Sequence, residues 1–289
     1  MKAAPFDYVV PANIAEACAA LAEADGGATV LAGGQTLVPL MALRMSQPFM
    51  LVDINKIPEL TGISLEGDTV RIGAMTRQND LIASVELAER LPVLAEAVRH
   101  VGHLQTRNRG TIGGSIAFGE PAAELPATLV ALGGSIEVAS IRGARRINAR
   151  DLYIGPYTTT IEPDELVTSV HFPCWPRETH WIFHEVTRRP GDFALVGLVG
   201  ALQIENGEIG RAGLAWFAMG DTPISAIQAE QALVGCAVSG IDPAAVAELA
   251  LADCQPFDDH HATERYRRSV GKRIFEQALS GVLRTVAQP

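Results

Sequence analysis

The sequence predicts an α+β protein in which two small α/β subdomains at the N-terminus precede a smaller domain with a three-stranded antiparallel sheet and helices. Three observations lead to this prediction. Short apolar runs alternate with helical patterns through the first part of the chain, a segment with two prolines and mixed polarity follows at residues 172–180, and three strand-like runs precede the last helical patterns. The 289 residues are enough for two domains with substantial cores.

The first subdomain is predicted over residues 1–55. Asn13 and Glu16 match the capping pattern that begins a helix, and the helical spacing of apolar residues ends at the glycine pair of residues 26 and 27. Short buried strands are expected in the segments ATVLAGG and FMLVDI. Because helix and strand alternate, this part is predicted to be a small α/β unit.

The second subdomain is predicted over residues 56–175. The segment GISLEGDTVRIGA alternates apolar and polar residues around a Glu-Gly-Asp turn, which predicts a hairpin. Helical patterns follow at residues 76–84 and 86–100, and Pro92 either lies in the first turns of the second helix or marks a break between two shorter helices. A glycine-rich segment then leads into an apolar helix, and strands resume at SIEVAS and ARRINAR.

The C-terminal domain is predicted over residues 176–289, after the proline-containing segment that we interpret as a linker. Three neighbouring strands are expected in the segments HWIFHEVTRR, FALVGLVGALQIE and EIGRAGLAWFAM. Helical patterns follow at about residues 224–233, 243–254 and 263–283. These elements together predict a small antiparallel α+β domain.

Composition and charge exclude several classes of function. Hydrophobic residues make up 48% of the chain and charged residues 19%, which is typical of a globular protein. The net charge of −10 makes nucleic acid or an anionic membrane surface an unfavourable partner. No window reaches the roughly 18 apolar residues that a membrane helix needs, and the four cysteines show no metal-ligand spacing. The sequence therefore predicts a cytoplasmic protein without a metal site, membrane insertion or a nucleic-acid partner.

Two glycine-rich segments are the candidate binding elements. The first glycine loop, residues 32–37, reads AGGQTL, and the second glycine loop, residues 111–115, reads TIGGS. Backbone N–H groups hold a phosphate when no side chain blocks its approach, and a nearby hydroxyl adds a donor. Neither loop matches the Rossmann or P-loop patterns. Glycine pairs also occur in ordinary tight turns, so the spacing alone leaves both interpretations open.

Four segments resemble a known family. AGGQTLVPLM, LVDINKIPEL, TIGGSIAFGEPAAELPATL and RRPGDFALVG occur in this order, and together they resemble the FAD-binding medium subunits of the molybdenum hydroxylases. That family includes bacterial carbon monoxide, xanthine and nicotine dehydrogenases. The resemblance implies a PCMH-type FAD-binding domain over residues 1–175 and a C-terminal flavoprotein domain over residues 176–289 that helps to close over the flavin ring.

The resemblance also implies the residues that bind FAD. The glycine loops would surround the diphosphate, with Ala32, Gly33, Gly34, Gln35, Thr36 and Leu37 in the first and Thr111, Ile112, Gly113, Gly114 and Ser115 in the second. Glu124 would contact the ribityl or nucleotide portion, His184 would lie near the ring, and Asp192 and Phe193 would lie at the domain interface. The sequence departs from the family at Thr36, where serine is usual, and at residues 118–120, where many relatives have His-Ala-Asp. No catalytic side chain is implied.

The implied function is electron transfer. A large partner chain would carry the molybdenum cofactor, and a small partner chain would carry two [2Fe-2S] clusters that pass electrons to FAD and then to a final acceptor. The complex would be a dimer of heterotrimers, a heterohexamer. Two alternatives remain open: a non-catalytic assembly subunit with a decayed flavin site, suggested by residues 118–120, and a free-standing FAD oxidoreductase of the vanillyl-alcohol oxidase type. The substrate and the acceptor are not encoded in any pattern of this chain.

Overall fold

The computed structural model describes residues 2–287, and the strands among these residues form four sheets. The strands are β1 Asp7–Val9, β2 Ala28–Leu31, β3 Met50–Asp53, β4 Ile63–Glu66, β5 Thr69–Gly73, β6 Ser135–Ser140, β7 Gly143–Asn148, β8 Tyr153–Gly155, β9 Thr158–Thr159, β10 Leu166–Pro173, β11 Thr179–Val186, β12 Val196–Glu205, β13 Glu208–Phe217 and β14 Ile224–Ser225. The α-helices are α1 Ile14–Glu23, α2 Leu37–Ala42, α3 Gln78–Ala83, α4 Val85–Arg90, α5 Pro92–His100, α6 Leu104–Arg107, α7 Ile112–Phe118, α8 Glu124–Ala131, α9 Ala149–Leu152, α10 Ile227–Leu233, α11 Pro243–Ala252 and α12 Glu264–Ala287. Short 3-10 helices span Pro58–Leu60 and Val238–Gly240.

The first subdomain is a small parallel sheet with helices. Its strands lie in the order β1-β3-β2, and α1 packs beside them through Ala17, Cys18 and Leu21. The predicted start of α1 is confirmed: the Glu16 N–H donates to Asn13 Oδ1 at 2.9 Å, and Glu16 Oε2 accepts from the backbone N–H before the cap at 2.8 Å. Strand β1 was not predicted, because it is only three residues long.

The second subdomain is built on a five-stranded antiparallel sheet with the order β4-β5-β10-β6-β7. Pro92 is the first residue of α5, so the long helical pattern is divided into two shorter helices. The central strand β10 was not predicted, because polar residues interrupt its apolar pattern. Two of them pair inside the sheet, where the Ser169 hydroxyl and His171 Nε2 lie 2.8 Å apart.

The expected linker is shorter than the sequence indicated. Phe172 and Pro173 are the last residues of β10, and Thr179 and His180 begin β11, so the irregular stretch covers residues 174–178. Proline is compatible with the end of a strand, where no further ladder hydrogen bond is required from its nitrogen. Pro173 therefore marks the end of β10, and Pro176 lies within a short connection.

The C-terminal sheet has the strand order β11-β12-β13-β14 and is antiparallel. The three predicted strands are confirmed, and a short fourth strand, β14, begins where a helix was expected. One face of the sheet packs against α10, α11 and α12. The other face, which carries Phe183, Val199, Ala215 and Phe217, joins the core of the second subdomain. The predicted α+β fold is confirmed.

Helix α8 lies between the second subdomain and the C-terminal sheet, and all of its residues are buried. Strand β13 passes so close to α8 that a Cβ atom built on Gly213 would lie 2.2 Å from the Ala131 carbonyl oxygen. A side chain at this position would force the strand and the helix apart. The contact between the two layers therefore depends on the absence of a side chain at Gly213.

We expect Gly213→Ala to lower the free energy of unfolding by about 1–3 kcal/mol, because overpacking displaces backbone that is already in contact. Gly210→Ala on the same strand is the matched control, since the nearest atom to its Cβ would be 3.9 Å away, in Gln203. Denaturant unfolding of the two variants measures the difference. Equal stability of the two variants would contradict the close approach of β13 to α8.

Candidate functional site

The two glycine loops lie against each other. A Cβ atom built on Gly33 would be 2.3 Å from the Arg109 carbonyl oxygen and 2.9 Å from the Gly110 Cα atom, so the first loop touches the backbone that leads into the second. A Cβ atom on Gly114 would lie 3.7 Å from the Ala32 Cβ atom. The structure therefore brings together two segments that are separated by more than seventy residues in the sequence.

The first glycine loop carries a run of unpaired backbone donors. Among residues 2–287, no hydrogen-bond acceptor is paired with the backbone N–H groups of residues 33–37. The φ angle of Gly34 is +70°, a conformation that favours glycine. Thr36 precedes α2, and its hydroxyl makes no capping hydrogen bond. Consecutive free N–H groups in a turn of this kind form a concave anion site.

The second glycine loop differs from the sequence expectation, because four of its five backbone N–H groups are not free. They are engaged as follows: Ile112 donates to Thr76 O at 3.2 Å, Gly113 to Ala74 O at 2.9 Å, Gly114 to Thr111 Oγ1 at 3.1 Å and Ser115 to Thr111 O at 3.2 Å. Gly113 is required for packing, since its Cβ atom would lie 2.6 Å from the Ala74 Cβ atom. The second loop therefore forms a firm support, and the half-buried Ser115 hydroxyl remains as a donor.

Glu124 is the first residue of α8 and is only 5% exposed. Burial raises the pKa of Glu124 to about 8, and the nearby carboxylates of Glu185 and Glu120 add to this shift. Near neutral pH the side chain is therefore mostly protonated. A buried carboxylic acid of this kind can donate a hydrogen bond as well as accept one.

His184 and Asp192 lie in different surroundings. His184 pairs with Leu198 on the sheet face that packs against the C-terminal helices, whereas its neighbours Phe183 and Glu185 point toward the second subdomain. This orientation argues against a contact between His184 and the glycine loops, and its position near the ring stays a prediction. Asp192 is exposed in the loop that connects β11 to β12.

The loop that carries Asp192 and the exposed Phe193 contacts the segment that leads to the second glycine loop. A Cβ atom on Gly191 would lie 2.4 Å from the His103 ring. A cleft of about 350 Å³ opens beside this contact, between the connection from α5 to α6 and the end of β11. In this cleft His100 Nδ1 lies 2.8 Å from Glu185 Oε2, which joins the two domains.

Sequence reasoning assigned no role to Asn55 and Arg77, although both lie at the junction of the glycine loops. Asn55 Nδ2 donates to Ala32 O at 2.8 Å, and Arg77 Nη2 donates to Asn55 Oδ1 at 2.7 Å. Asn55 is inside the quoted segment LVDINKIPEL and lies just beyond the end of β3, a position from which polar side chains often reach a site. Arg77 had no comparable signal in the sequence.

The fold and the free backbone N–H groups of the first glycine loop are those expected of a nucleotide-binding α+β protein. Comparison with known families agrees with this class. Residues 4–175 match the family described as FAD binding domain in molybdopterin dehydrogenase, and residues 181–282 match the CO dehydrogenase flavoprotein C-terminal domain. The chain belongs to this family of FAD-binding subunits of molybdopterin dehydrogenases, which confirms the resemblance found in the four segments.

Individual relatives cover nearly the whole chain. The 6-hydroxypseudooxynicotine dehydrogenase complex subunit alpha of Paenarthrobacter nicotinovorans is 38% identical over 98% of this chain and 96% of the relative. The carbon monoxide dehydrogenase medium chain of Hydrogenophaga pseudoflava is 35% identical over 95% and 96%. A solved structure of carbon monoxide dehydrogenase from the same organism superimposes with a TM-score of 0.94 at 37% identity, covering 97% of this chain and 98% of that one. These relatives are named as subunits of larger enzymes.

None of the helices within residues 2–287 combines the length and the hydropathy needed to span a membrane.

Proposed function

We propose that this chain is the FAD-binding electron-transfer subunit of a multi-subunit molybdenum hydroxylase. A small partner chain with two [2Fe-2S] clusters would deliver electrons, and a large partner chain with the molybdenum cofactor would oxidise the substrate. The assembly would be a dimer of heterotrimers in the cytoplasm. Membership of the family and the names of the relatives, which include medium chains of carbon monoxide and nicotine-oxidising enzymes, support this proposal.

The observation that carries the proposal is the run of backbone N–H groups at residues 33–37 that find no acceptor within residues 2–287, beside the Thr36 hydroxyl, which forms no cap. These donors fit the diphosphate of FAD without any cationic side chain. Bound FAD would supply the capacity to accept and release electrons, while the chain would bind it, orient it and exclude solvent. Electron transfer by a bound flavin requires no side-chain nucleophile from the chain, which agrees with this division of roles between cofactor and protein.

We further propose the extent of the domains and of the site. The FAD-binding domain would comprise residues 1–175, with subdomains of about 1–55 and 56–175, and the C-terminal flavoprotein domain residues 176–289. The site would include both glycine loops, with Glu124 and Asp192 on the side of the domain interface, and His184 as a more distant member. The contact of Gly191, next to Asp192, with His103 in the segment that leads to the second glycine loop supports this arrangement.

Titration of the purified, flavin-free chain with FAD tests the proposal. We expect one FAD per chain, with a change in the flavin absorption spectrum, because the first loop provides one phosphate site. A chain that binds no FAD would be the decayed assembly subunit, and the proposal would fail. A chain that oxidises small substrates with FAD alone, without partner chains, would instead support a free-standing oxidoreductase.

A further inference from the structure

The two glycine loops touch but are not joined directly. Within residues 2–287, no hydrogen bond connects residues 32–37 to residues 109–115. The loops meet through van der Waals contacts: Gly33 lies against the backbone of Arg109 and Gly110, and Ala32 lies near Gly114. Since van der Waals contact alone does not determine a relative orientation closely, another element has to set the position of the first loop.

The side chains of Asn55 and Arg77 lie at the junction of the two glycine loops. Asn55 Nδ2 donates to Ala32 O at 2.8 Å, immediately before Gly33, and Asn55 is itself oriented by its backbone N–H, which donates to Asp53 Oδ1 at 2.9 Å. Arg77 donates through Nη2 to Asn55 Oδ1 at 2.7 Å and through Nη1 to the Arg109 carbonyl oxygen. The Asn55–Arg77 link, defined by these side chains and their bonds to Ala32 and Arg109, thus spans the junction.

The second loop is already fixed to the backbone on either side of Arg77. Gln78 N donates to Gly110 O at 2.9 Å, and Arg77 forms an isolated antiparallel bridge with Thr111. The backbone that carries the Arg77 side chain is therefore held in place on both sides by hydrogen bonds. Its planar, forked guanidinium reaches an amide and a carbonyl oxygen at once, which a lysine ammonium on a flexible stem does not reproduce.

We propose that Asn55 and Arg77 are positioning residues for FAD binding: they hold the first glycine loop against the second so that the N–H groups of residues 33–37 converge on the diphosphate. This inference rests on the proposed function. It assigns Arg77 a role through Ala32 and Arg109, and not through attraction between its charge and the phosphates. Asn55 is exposed, so its replacement leaves no cavity in the core.

FAD titrations of the full-length chain test the inference, with unfolding measured in parallel. We expect Asn55→Ala to weaken FAD binding about tenfold, because several hydrogen bonds at the junction are lost. Asn13→Ala is the matched control, since Asn13 caps α1 with a comparable hydrogen bond but has no bond to the glycine loops. The control should lose similar stability and retain the FAD affinity of the wild type.

Arg77→Lys separates geometry from charge. We expect Arg77→Lys to weaken FAD binding about as much as Asn55→Ala. The variant that carries both substitutions should bind FAD with the same affinity as the single variants, because both substitutions break the same link. The ratio of wild-type to variant affinity should also be independent of salt. Wild-type affinity in Asn55→Ala, or in Arg77→Lys, would overturn the inference. If the wild-type chain itself fails to bind FAD, the proposed function fails first.

Discussion

We expect the Gly33→Ala variant to lose most of its affinity for FAD. The added Cβ atom would lie 2.3 Å from the Arg109 carbonyl oxygen, and both sides of this contact are backbone, so no flexible side chain can move away. The loops must separate, and the N–H groups of residues 33–37 no longer converge. We expect the dissociation constant of FAD to rise roughly 100-fold, which corresponds to about 2.7 kcal/mol.

A matched glycine variant distinguishes this effect from a general loss of helix or turn propensity. In the part of the chain that the structure describes, no atom lies within 4 Å of a Cβ atom built on Gly240, so Gly240→Ala should bind FAD like the wild type. Flavin content after purification and titration of the flavin-free chain measure both variants. If Gly33→Ala retained FAD with wild-type affinity, the contact between the loops would not be part of the binding site.

The second large effect is the pH dependence of stability caused by Glu124. Its pKa moves from 4.5 to about 8 on folding because the side chain is buried. Between these values the folded chain holds one more proton than the unfolded chain. The stability that the protonated Glu124 side chain contributes is therefore fully present below pH 4.5, the pKa of the unfolded chain. It is lost as the pH rises through the folded-state pKa of about 8, at about 1.4 kcal/mol per pH unit.

We expect Glu124→Gln to flatten this part of the pH profile. The amide does not ionise, so the variant gains stability relative to the wild type as the pH rises, whatever the constant cost of the substitution. Denaturant unfolding at several pH values measures the slopes. Glu59→Gln, at an exposed position, removes a carboxylate elsewhere and should keep the wild-type slope. An unchanged slope in Glu124→Gln would show that this carboxyl is ionised in the folded chain.

Local signals in the sequence predicted the elements that are specified locally. The cap formed by Asn13 and Glu16 and the three strands of the C-terminal sheet depend on residues close together in the chain, and the break at Pro92 was one of the two alternatives that the sequence left open. Strand β10 could not be predicted in this way. Its polar residues, such as Ser169 and His171, are acceptable in the centre of a sheet only because each finds a partner there.

The candidate site was predicted in part. Both glycine pairs were identified, but the sequence does not distinguish a glycine that lets two loops meet from one that lets a helix pack on a strand. Gly33 belongs to the first kind, and Gly113, against Ala74, belongs to the second. The link between Asn55 and Arg77 joins residues that are 22 positions apart. No periodicity or spacing predicts such a tertiary hydrogen bond.

The position of helix α8 determines how the two halves of the molecule unfold. The helix contributes side chains to the core of the second subdomain and also lies directly on the C-terminal sheet, with no solvent-facing residue of its own. Separating the two halves would expose an apolar helix and the aromatic face of a sheet to water together. The halves are therefore one cooperative unit in unfolding, and excision of either half at the connecting turn would produce a fragment prone to aggregation.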